Sequence, residues 1–460
     1  HQSTCFMYRK TLYSIALISV ILISGCTNNN TSNTSDLLQS APVVGAVEMK
    51  KAVVWLQTKK PTPVTIEYWP KEDSADSRFN KQGKTTADAY NSAKLILDNL
   101  EPGTTYNYKI IINNEAQELE YPLSFTTQEL WQWRTDPPPF SIAMGSCLYI
   151  NDPEDDRPGE PYGGQYEILK SIHQKSPDIM LWLGDNVYYR EPDFYSKNQM
   201  AERYRHARSI DPMHALVANS VNLAIWDDHD FGPNDSDRTY RMRRQALDIF
   251  KTYWPNPAFG TLETPGVFFR YKYSDVEFFM TDDRFHRAPN RADNSSDDFF
   301  GREQLNWLKE SLLNSNATFK LVVVGNQATN IHSGHEGFPN YTERYNELMN
   351  FLATNEIEGV VFLSGDRHFT ELLKTERNNL YPLYEFTSSP LTSSTYAGIL
   401  ESDEANNPLR IDGTLVYKTR NFGMIQVSGK RDDRSLTLQT YDVKGEKLWE
   451  YSIHQKDLEL

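Results

Sequence analysis

The chain has 460 residues, of which 39% are hydrophobic and 12% aromatic, and carries a formal net charge of −15. That apolar content supports a sizeable core and excludes wholesale disorder, and the length allows two or three domains. The acidic balance excludes a general nucleic-acid binder with a basic face, so no specific nucleic-acid partner is expected; an anionic ligand stays open, because bound cations reverse a local field.

Three cysteines, Cys5, Cys26 and Cys147, do not make a disulfide framework. A processing signal starts at Met7, which sets the expected natural start there, with residues 1–6 upstream. Arg9 and Lys10 form a positive region and residues 12–23 an apolar one. The apolar stretch is short of the roughly 20 residues a membrane span needs and suits a secretory signal. Ile23-Ser24-Gly25-Cys26 resembles the bacterial lipoprotein cleavage box, which implies a leader over residues 1–26, lipidation at Cys26 and an exported protein held at a membrane by its lipid. Residues 27–41 are polar and low in complexity, as in a flexible tether.

Residues 42–130 contain short β-branched and alternating runs (AVVWLQT, PVTIEYW, AKLILDNL, YNYKIII, LSFTT) separated by turn residues, which predicts strands. Leu100-Glu101-Pro102-Gly103-Thr104-Thr105-Tyr106 resembles the turn of fibronectin type III domains in which a tyrosine packs at a corner and hydrogen-bonds back to the chain. A small β-sandwich is expected, acting as a spacer or packing domain. Residues 131–139 are proline-rich and mark a boundary.

Over 139–455, apolar runs alternate with helical stretches such as QYEILKSIHQK and REQLNWLKESLL, which predicts an α/β layered domain returning to strands near its end (LYEFTSS, GMIQVSG, SLTLQTYD). Six apolar runs each stop on polar, ligand-type residues: Ser141–Gly145 on Ser146-Cys147, Ile179–Leu183 on Gly184-Asp185, Asn222–Trp226 on Asp227-Asp228-His229-Asp230, Glu277–Thr281 on Asp282-Asp283-Arg284, Lys320–Val324 on Gly325-Asn326-Gln327, and Gly359–Leu363 on Ser364-Gly365-Asp366-Arg367-His368. In α/β sheets, sites gather beyond the carboxyl ends of strands. Convergence there makes a strongly polar pocket whose carboxylates metal ions would neutralise. Thiolate and phenolate suit a high-charge iron, and carboxylate and amide oxygens suit calcium, magnesium or manganese. Two ions bridged by Asp185 can clamp both oxygens of a phosphoryl transfer.

The blocks GSC, GDNVYY, WDDHDFGPND, DDRFHR, GREQLNWL and SGDRHF, in that order over most of 139–390, resemble the PhoD-like alkaline phosphatase family, within the metallophosphoesterase superfamily and related to purple acid phosphatases. The resemblance implies a four-layer αββα metallophosphoesterase domain behind a fibronectin/Ig-like β-sandwich. It implies hydrolysis of phosphate esters by metal-activated water or oxide, with small-molecule phosphate esters as partners. It implies Fe3+ held by Cys147, Asp185, Tyr188 and His368, and Ca2+ (or Mg2+, Mn2+ or Zn2+) held by Asp185, Asp228, Asn234 and Asp366. His229 is then a proton donor to the leaving oxygen, and Arg284, Arg287 and Arg367 are candidates to grip phosphate. The segment after His229 differs in length from the family form, so Asp230 and Asp235 stand as alternatives to Asn234. A phosphodiesterase of the same fold, and an inactive surface-binding lipoprotein, are the rival readings.

Plainer readings accompany several residues. Tyr189 is expected to pack. His332 and His335 are expected in a loop at the pocket rim. Asp152–Asp156 is expected in a surface loop, and Arg203, Arg205, His206 and Arg208 on a solvated helix face.

Overall fold

A computed structural model describes residues 37–72, 77–290, 298–334 and 336–460. The expected leader, the cleavage box with Cys26, most of the tether and His335 lie outside the described residues. The described residues form one unit.

The five runs expected as strands between 42 and 130 are strands. Val43–Val47, Lys51–Gln57 and Ser92–Asp98 form one antiparallel sheet; Phe79–Lys84, Pro63–Pro70 and Thr105–Ile112 form another, with short strands Glu115–Ala116 and Ser124–Thr126 beside the last. Thr105–Ile112 alternates half-buried and buried residues with a period of two, as a strand covering one face must. Tyr106 is buried at its start, and its hydroxyl accepts the Glu101 N–H at 2.9 Å, closing the corner. The sandwich is fused to the rest of the chain. The Trp55 indole donates to the Thr252 carbonyl at 2.8 Å, the Tyr108 hydroxyl to the Ala218 carbonyl at 2.9 Å, and the Asn222 amide to the Val44 carbonyl at 2.9 Å. Gly45 permits this approach, since a Cβ there would lie 2.3 Å from the Pro255 carbonyl oxygen.

Beyond the proline-rich boundary stand two six-stranded sheets. The first runs Val221–Ile225, Ile179–Leu183, Phe140–Gly145, Asn421–Lys430, Asp433–Asp442, Lys447–His454. Its first three strands are parallel and the rest antiparallel. The second runs Phe269–Tyr273, Val276–Met280, Phe319–Val323, Val360–Ser364, Leu380–Thr387, Glu371–Arg377, with four parallel strands at its centre. The sheets pack face to face. Phe386 of the second meets Trp449 of the first at 5.1 Å between ring centroids, and Tyr384 meets Tyr451 at 5.9 Å. Helices Ile168–Gln174, Lys197–Arg208, Asp211–Asn219 and Arg243–Tyr253 come from the crossovers of the first sheet and its neighbouring segments, and Arg302–Leu313 and Thr342–Thr354 from those of the second. Arg302–Leu313 buries Leu305, Leu308 and Leu312, one helical stripe at i, i+3, i+7. Burial contributes about 1.5–3 kcal/mol for each such leucine. The result is the four-layer αββα arrangement.

The central strands are buried on both faces, which is why they read as continuous apolar runs. All six runs expected to deliver polar residues are parallel strands, three in each sheet, so their carboxyl ends share one edge of the stack.

Candidate metal centre

Neighbouring strand ends are tied to one another. Cys147 N–H donates to the Gly184 carbonyl at 3.3 Å and Leu148 N–H to the Asp185 carbonyl at 2.8 Å, while Gly365 N–H donates to Gly325 at 3.0 Å. The two sheets are joined at the same place by the Asp366 N–H, which donates to Ser146 Oγ at 3.1 Å. Four residues at these ends take left-handed backbone: Cys147 (φ 61°), Asp185 (φ 53°), Asp366 (φ 69°) and His368 (φ 57°). Aspartate and histidine tolerate that region better than most residues; cysteine does not, and such outliers cost about 1–3 kcal/mol each. The bends turn the side chains off the strand ends into a common space.

There the Cys147 Sγ lies 3.6 Å from Asp185 Oδ2, and the Tyr188 hydroxyl donates to the same oxygen at 3.1 Å. Ser389 Oγ donates to the sulfur at 3.2 Å. Ligand atoms of Cys147, Asp185 and His368 all fall within 4.8 Å of one another, as do those of Asp185, Asp228 and His229, of Asp227, Asp228 and Asp366, and of Asp228, Asp235 and Glu336. Asp185 belongs to the first two groups and Asp228 to the last three, so the groups form one continuous chain of donors. His368 Nδ1 lies 2.6 Å from the Ser394 carbonyl. An N–H there leaves Nε2 as the lone-pair nitrogen, the arrangement of a ligating histidine with its ring held from behind. The His229 ring stacks on Tyr188 at 4.3 Å, its Nε2 is 4.0 Å from Asp228, and its backbone N–H donates to Asp185 Oδ1 at 3.2 Å.

Charge in this space is poorly balanced by the protein alone. Burial, then Asp228, Cys147, Asp230 and Asp366, push the Asp185 carboxyl well above its usual range. Burial, then Glu336 and Asp228, raise Asp366 to about 7. Burial raises Cys147 to about 11 against the hydrogen bonds of Ser146 and Ser389. Burial also depresses His229 and keeps its imidazole neutral at pH 7. Acids brought together out of water cannot all ionise unless cations join them. A thiol, an imidazole, a phenol and carboxylates at these separations are the donor set that fits metal ions.

The expected residues fall in different places. Cys147, Asp185, Tyr188, Asp228, Asp366, His368 and His229 come together. Asn234 does not: it is exposed and hydrogen-bonds to none of the described acids, whereas its neighbour Asp235 donates its N–H to Asp228 Oδ2 at 2.7 Å and adds its carboxylate to the cluster. Asp230 lies behind the site, accepting from the N–H groups of Asp185 at 3.2 Å, Asn186 at 3.1 Å and Asp227 at 2.7 Å, so it organises two strand ends. Arg284 and Arg287 are fully buried. Arg284 reaches Asp227 at 2.6 Å, Glu336 at 2.7 Å and Asn326 at 3.2 Å; Arg287 reaches the same Asn326 oxygen at 2.7 Å. Arg367, also buried, is held by Glu404 at 2.7 Å and Ser333 at 3.0 Å. The expected phosphate grips are thus committed to protein acceptors, which leaves them as braces of the loops.

Other expectations change as well. Arg203 and Arg208 are buried, Arg203 on Asp193 at 2.9 Å and Arg208 against Trp254 at 4.2 Å, so those two leave the solvated set, while the Arg205 side chain is 42% exposed. Asp156, in the loop expected at the surface, has a side chain only 1% exposed. Two expectations stand: His332 is exposed and outside the cluster, and Tyr189 packs, buried against Tyr204. Glu336 was missed because it comes from an irregular segment. Its signal is visible only once Arg284 and Arg287 are known to face it; against burial, which pushes it up, they hold its carboxyl far below the usual range.

A family model described as PhoD-like phosphatase matches residues 143–438, and one described as a domain of unknown function matches residues 35–129. Alkaline phosphatase D of Bacillus subtilis (strain 168) is 22% identical over 354 residues, 65% of this chain and 56% of that protein, so the match spans little more than half of the relative's length. The solved structure of PhoD superposes with a TM-score of 0.73 at 16% identity, over 90% of this chain and 92% of that one. Purple acid phosphatase PPD1 from yellow lupin (Lupinus luteus) seeds superposes with a TM-score of 0.58 at 11% identity, over 91% of this chain and 75% of that one. These two likenesses are likenesses of fold. The first family model spans more than half of the sequence, and the chain belongs to the PhoD-like phosphatase family.

Proposed function

We propose that the protein hydrolyses phosphate esters at the strand-end cluster, as a metal-dependent phosphatase acting chiefly on monoesters and exported as a lipoprotein anchored through Cys26. The observation that carries this reading is the grouping of Cys147, Asp185 and His368 within 4.8 Å, continued through Asp185 to Asp228 and His229. Fe3+ suits the side holding the thiol, phenol and imidazole, and Ca2+ or another divalent ion suits the oxygen-rich side. Bound ions would supply Lewis acidity and an activated water for in-line attack on phosphorus.

The chain's own groups do the rest. Asp185 is the acid both sides share. Tyr188 and Cys147 converge on it and fix its Oδ2. His229, neutral and stacked on Tyr188, presents a ring nitrogen to the leaving oxygen, with Asp228 beside it to orient the imidazole. Membership of the family and the alkaline phosphatase D relative support the substrate class.

The test is turnover of p-nitrophenyl phosphate and bis(p-nitrophenyl) phosphate by the purified protein, with elemental analysis of the same preparation. Faster monoester turnover by an iron-containing protein is expected. A metal-free preparation with no turnover of either ester, unrestored by added metal, would sink the reading. Radiolabelled lipid incorporation into wild type and its absence in Cys26→Ser tests the anchor.

A further inference from the structure

We propose that Arg190 is the cation that meets the phosphoryl oxygens of the substrate, the role that Arg284, Arg287 and Arg367 are too deeply committed to fill. The inference rests on the phosphatase reading above and names a residue for it. Arg190 follows Tyr188-Tyr189 at the end of the segment that carries Asp185. Its guanidinium carbon stands 5.4 Å from the Tyr188 ring centroid and 4.9 Å from that of Tyr149, and the two tyrosine rings meet edge to face at 4.9 Å. Tyr188 in turn stacks on His229, so the guanidinium is one ring away from that imidazole. Its side chain is 16% exposed, where Arg284 and Arg287 are fully buried.

The segment around Arg190 holds it by one edge. Asp156 Oδ1 accepts Nε at 3.2 Å, and Asp193 Oδ2 accepts the Arg190 backbone N–H at 2.8 Å. Both carboxylates are themselves fixed by Arg203, Asp193 at 2.9 Å and Asp156 at 3.4 Å. Nη1 reaches the Tyr189 carbonyl at 3.4 Å, the side chain also hydrogen-bonds Tyr149, and the hydrogen bond to Asp156 is made through Nε. A buried aspartate is costly unless it is paired, so the placement of Asp156 inside an otherwise exposed acidic loop is explained by this pairing. A guanidinium pinned at Nε and stacked on aromatic rings keeps its terminal fork in one orientation, and that fork matches two oxygens of a phosphate. Asp156 is then a positioning residue for Arg190.

The experiment compares wild type, Arg190→Gln, Arg190→Lys and Asp156→Asn, each as the full metal-loaded protein. Calorimetric titration with inorganic phosphate is the primary readout, with KM and kcat for p-nitrophenyl phosphate, metal content and melting temperature beside it. Loss of a charge-assisted fork should weaken phosphate binding about tenfold or more in Arg190→Gln. KM should rise more than kcat falls, with metal content unchanged. Arg190→Lys, which keeps the charge and loses the fork, should recover part of the loss, and Asp156→Asn should fall between wild type and Arg190→Gln. Phosphate binding by Arg190→Gln within about twofold of wild type would overturn the proposal. So would loss of metal from Arg190→Gln, since Arg190 would then serve only to hold Tyr188. Should Arg190→Gln not fold, Arg190→Lys and Asp156→Asn decide by the same phosphate titration. A wild type that binds phosphate yet hydrolyses no ester would end the phosphatase reading and leave the Arg190 comparison intact. An active wild type whose variants bind phosphate equally would end only the assignment of Arg190.

Discussion

On the Cys147 side of the cluster, a thiol, a carboxylate, a phenol and an imidazole share one space, and among the described residues no arginine or lysine pairs with Asp185. On the Asp227 side, carboxylates are just as deeply buried, but Arg284 and Arg287 are threaded between Asp227, Asn326 and Glu336. The second side offsets part of its charge from within the fold, although burial still holds Asp227 well above the usual carboxyl range against the pull of Arg284. The first, with no such cation among the described residues, must stay protonated or take one from solution. The difference separates a surface built for ligation from one built to brace it, although both are made of aspartates at strand ends.

The comparison breaks most visibly at Asp185. Asp185→Asn should lower turnover by more than about a hundredfold, beyond the usual effect of losing a partner behind a ligand, with loss of bound metal in elemental analysis. In chelated protein the same change should raise the melting temperature, because it removes a carboxyl that burial disfavours. Equal metal content in both proteins would show that Asp185 is not the shared ligand. Next comes Arg284→Ala, which strands Asp227 and Glu336. It should cost about 3–5 kcal/mol in denaturant unfolding, with or without metal. A cost seen only in loaded protein would mean that Arg284 serves the ions.

The third effect is on pH. Asp366 and Asp230 sit at about 7 in the fold, above the ordinary carboxyl value. The folded chain therefore binds more protons than the unfolded one between about pH 4 and 7, and metal-free stability is lost as pH rises through that window. Chelated protein should melt several degrees higher near pH 5 than near pH 8, roughly as a linkage of one to two protons requires, and loaded protein should lack that trend. A chelated protein that instead gains stability with rising pH would contradict the charge imbalance. The smallest effect lies far from the cluster. Tyr106→Phe removes the corner hydrogen bond and should cost about 1 kcal/mol without changing turnover.

What was legible in the sequence was what is local. A buried parallel strand must be apolar throughout, so the residues that end it stand out, and that contrast marked Ser146-Cys147, Gly184-Asp185, Asp227 to Asp230 and Ser364 to His368 as clusters. Which members of those clusters ligate, Tyr188 included, came from the resemblance to the PhoD-like family. The strand Phe79–Lys84 carries exposed polar residues and no alternation, and nothing in its sequence announces it. The arginines were misjudged for a related reason. Whether a guanidinium is free or committed depends on acids 50 or so positions away, such as Glu336 for Arg284, and one-dimensional order does not encode that meeting. The choice between Asn234 and Asp235 turned on one residue of register in a loop, where no periodicity exists to fix it.

The junction between the sandwich and the layered domain has a practical corollary. The proline-rich stretch is a seam in composition, yet the mechanical joint runs through Gly45 on Pro255, the Trp55 indole on Thr252 and the Asn222 amide on Val44. A shortened gene product beginning near residue 139 would uncover Tyr253 and Pro255 and take the Val44 carbonyl from Asn222 in strand Val221–Ile225, the strand beside the one that ends in Asp185. The amino-terminal module is therefore part of the layered domain's chassis, and shuffling it for a foreign module would disturb the strand-end cluster from the rear.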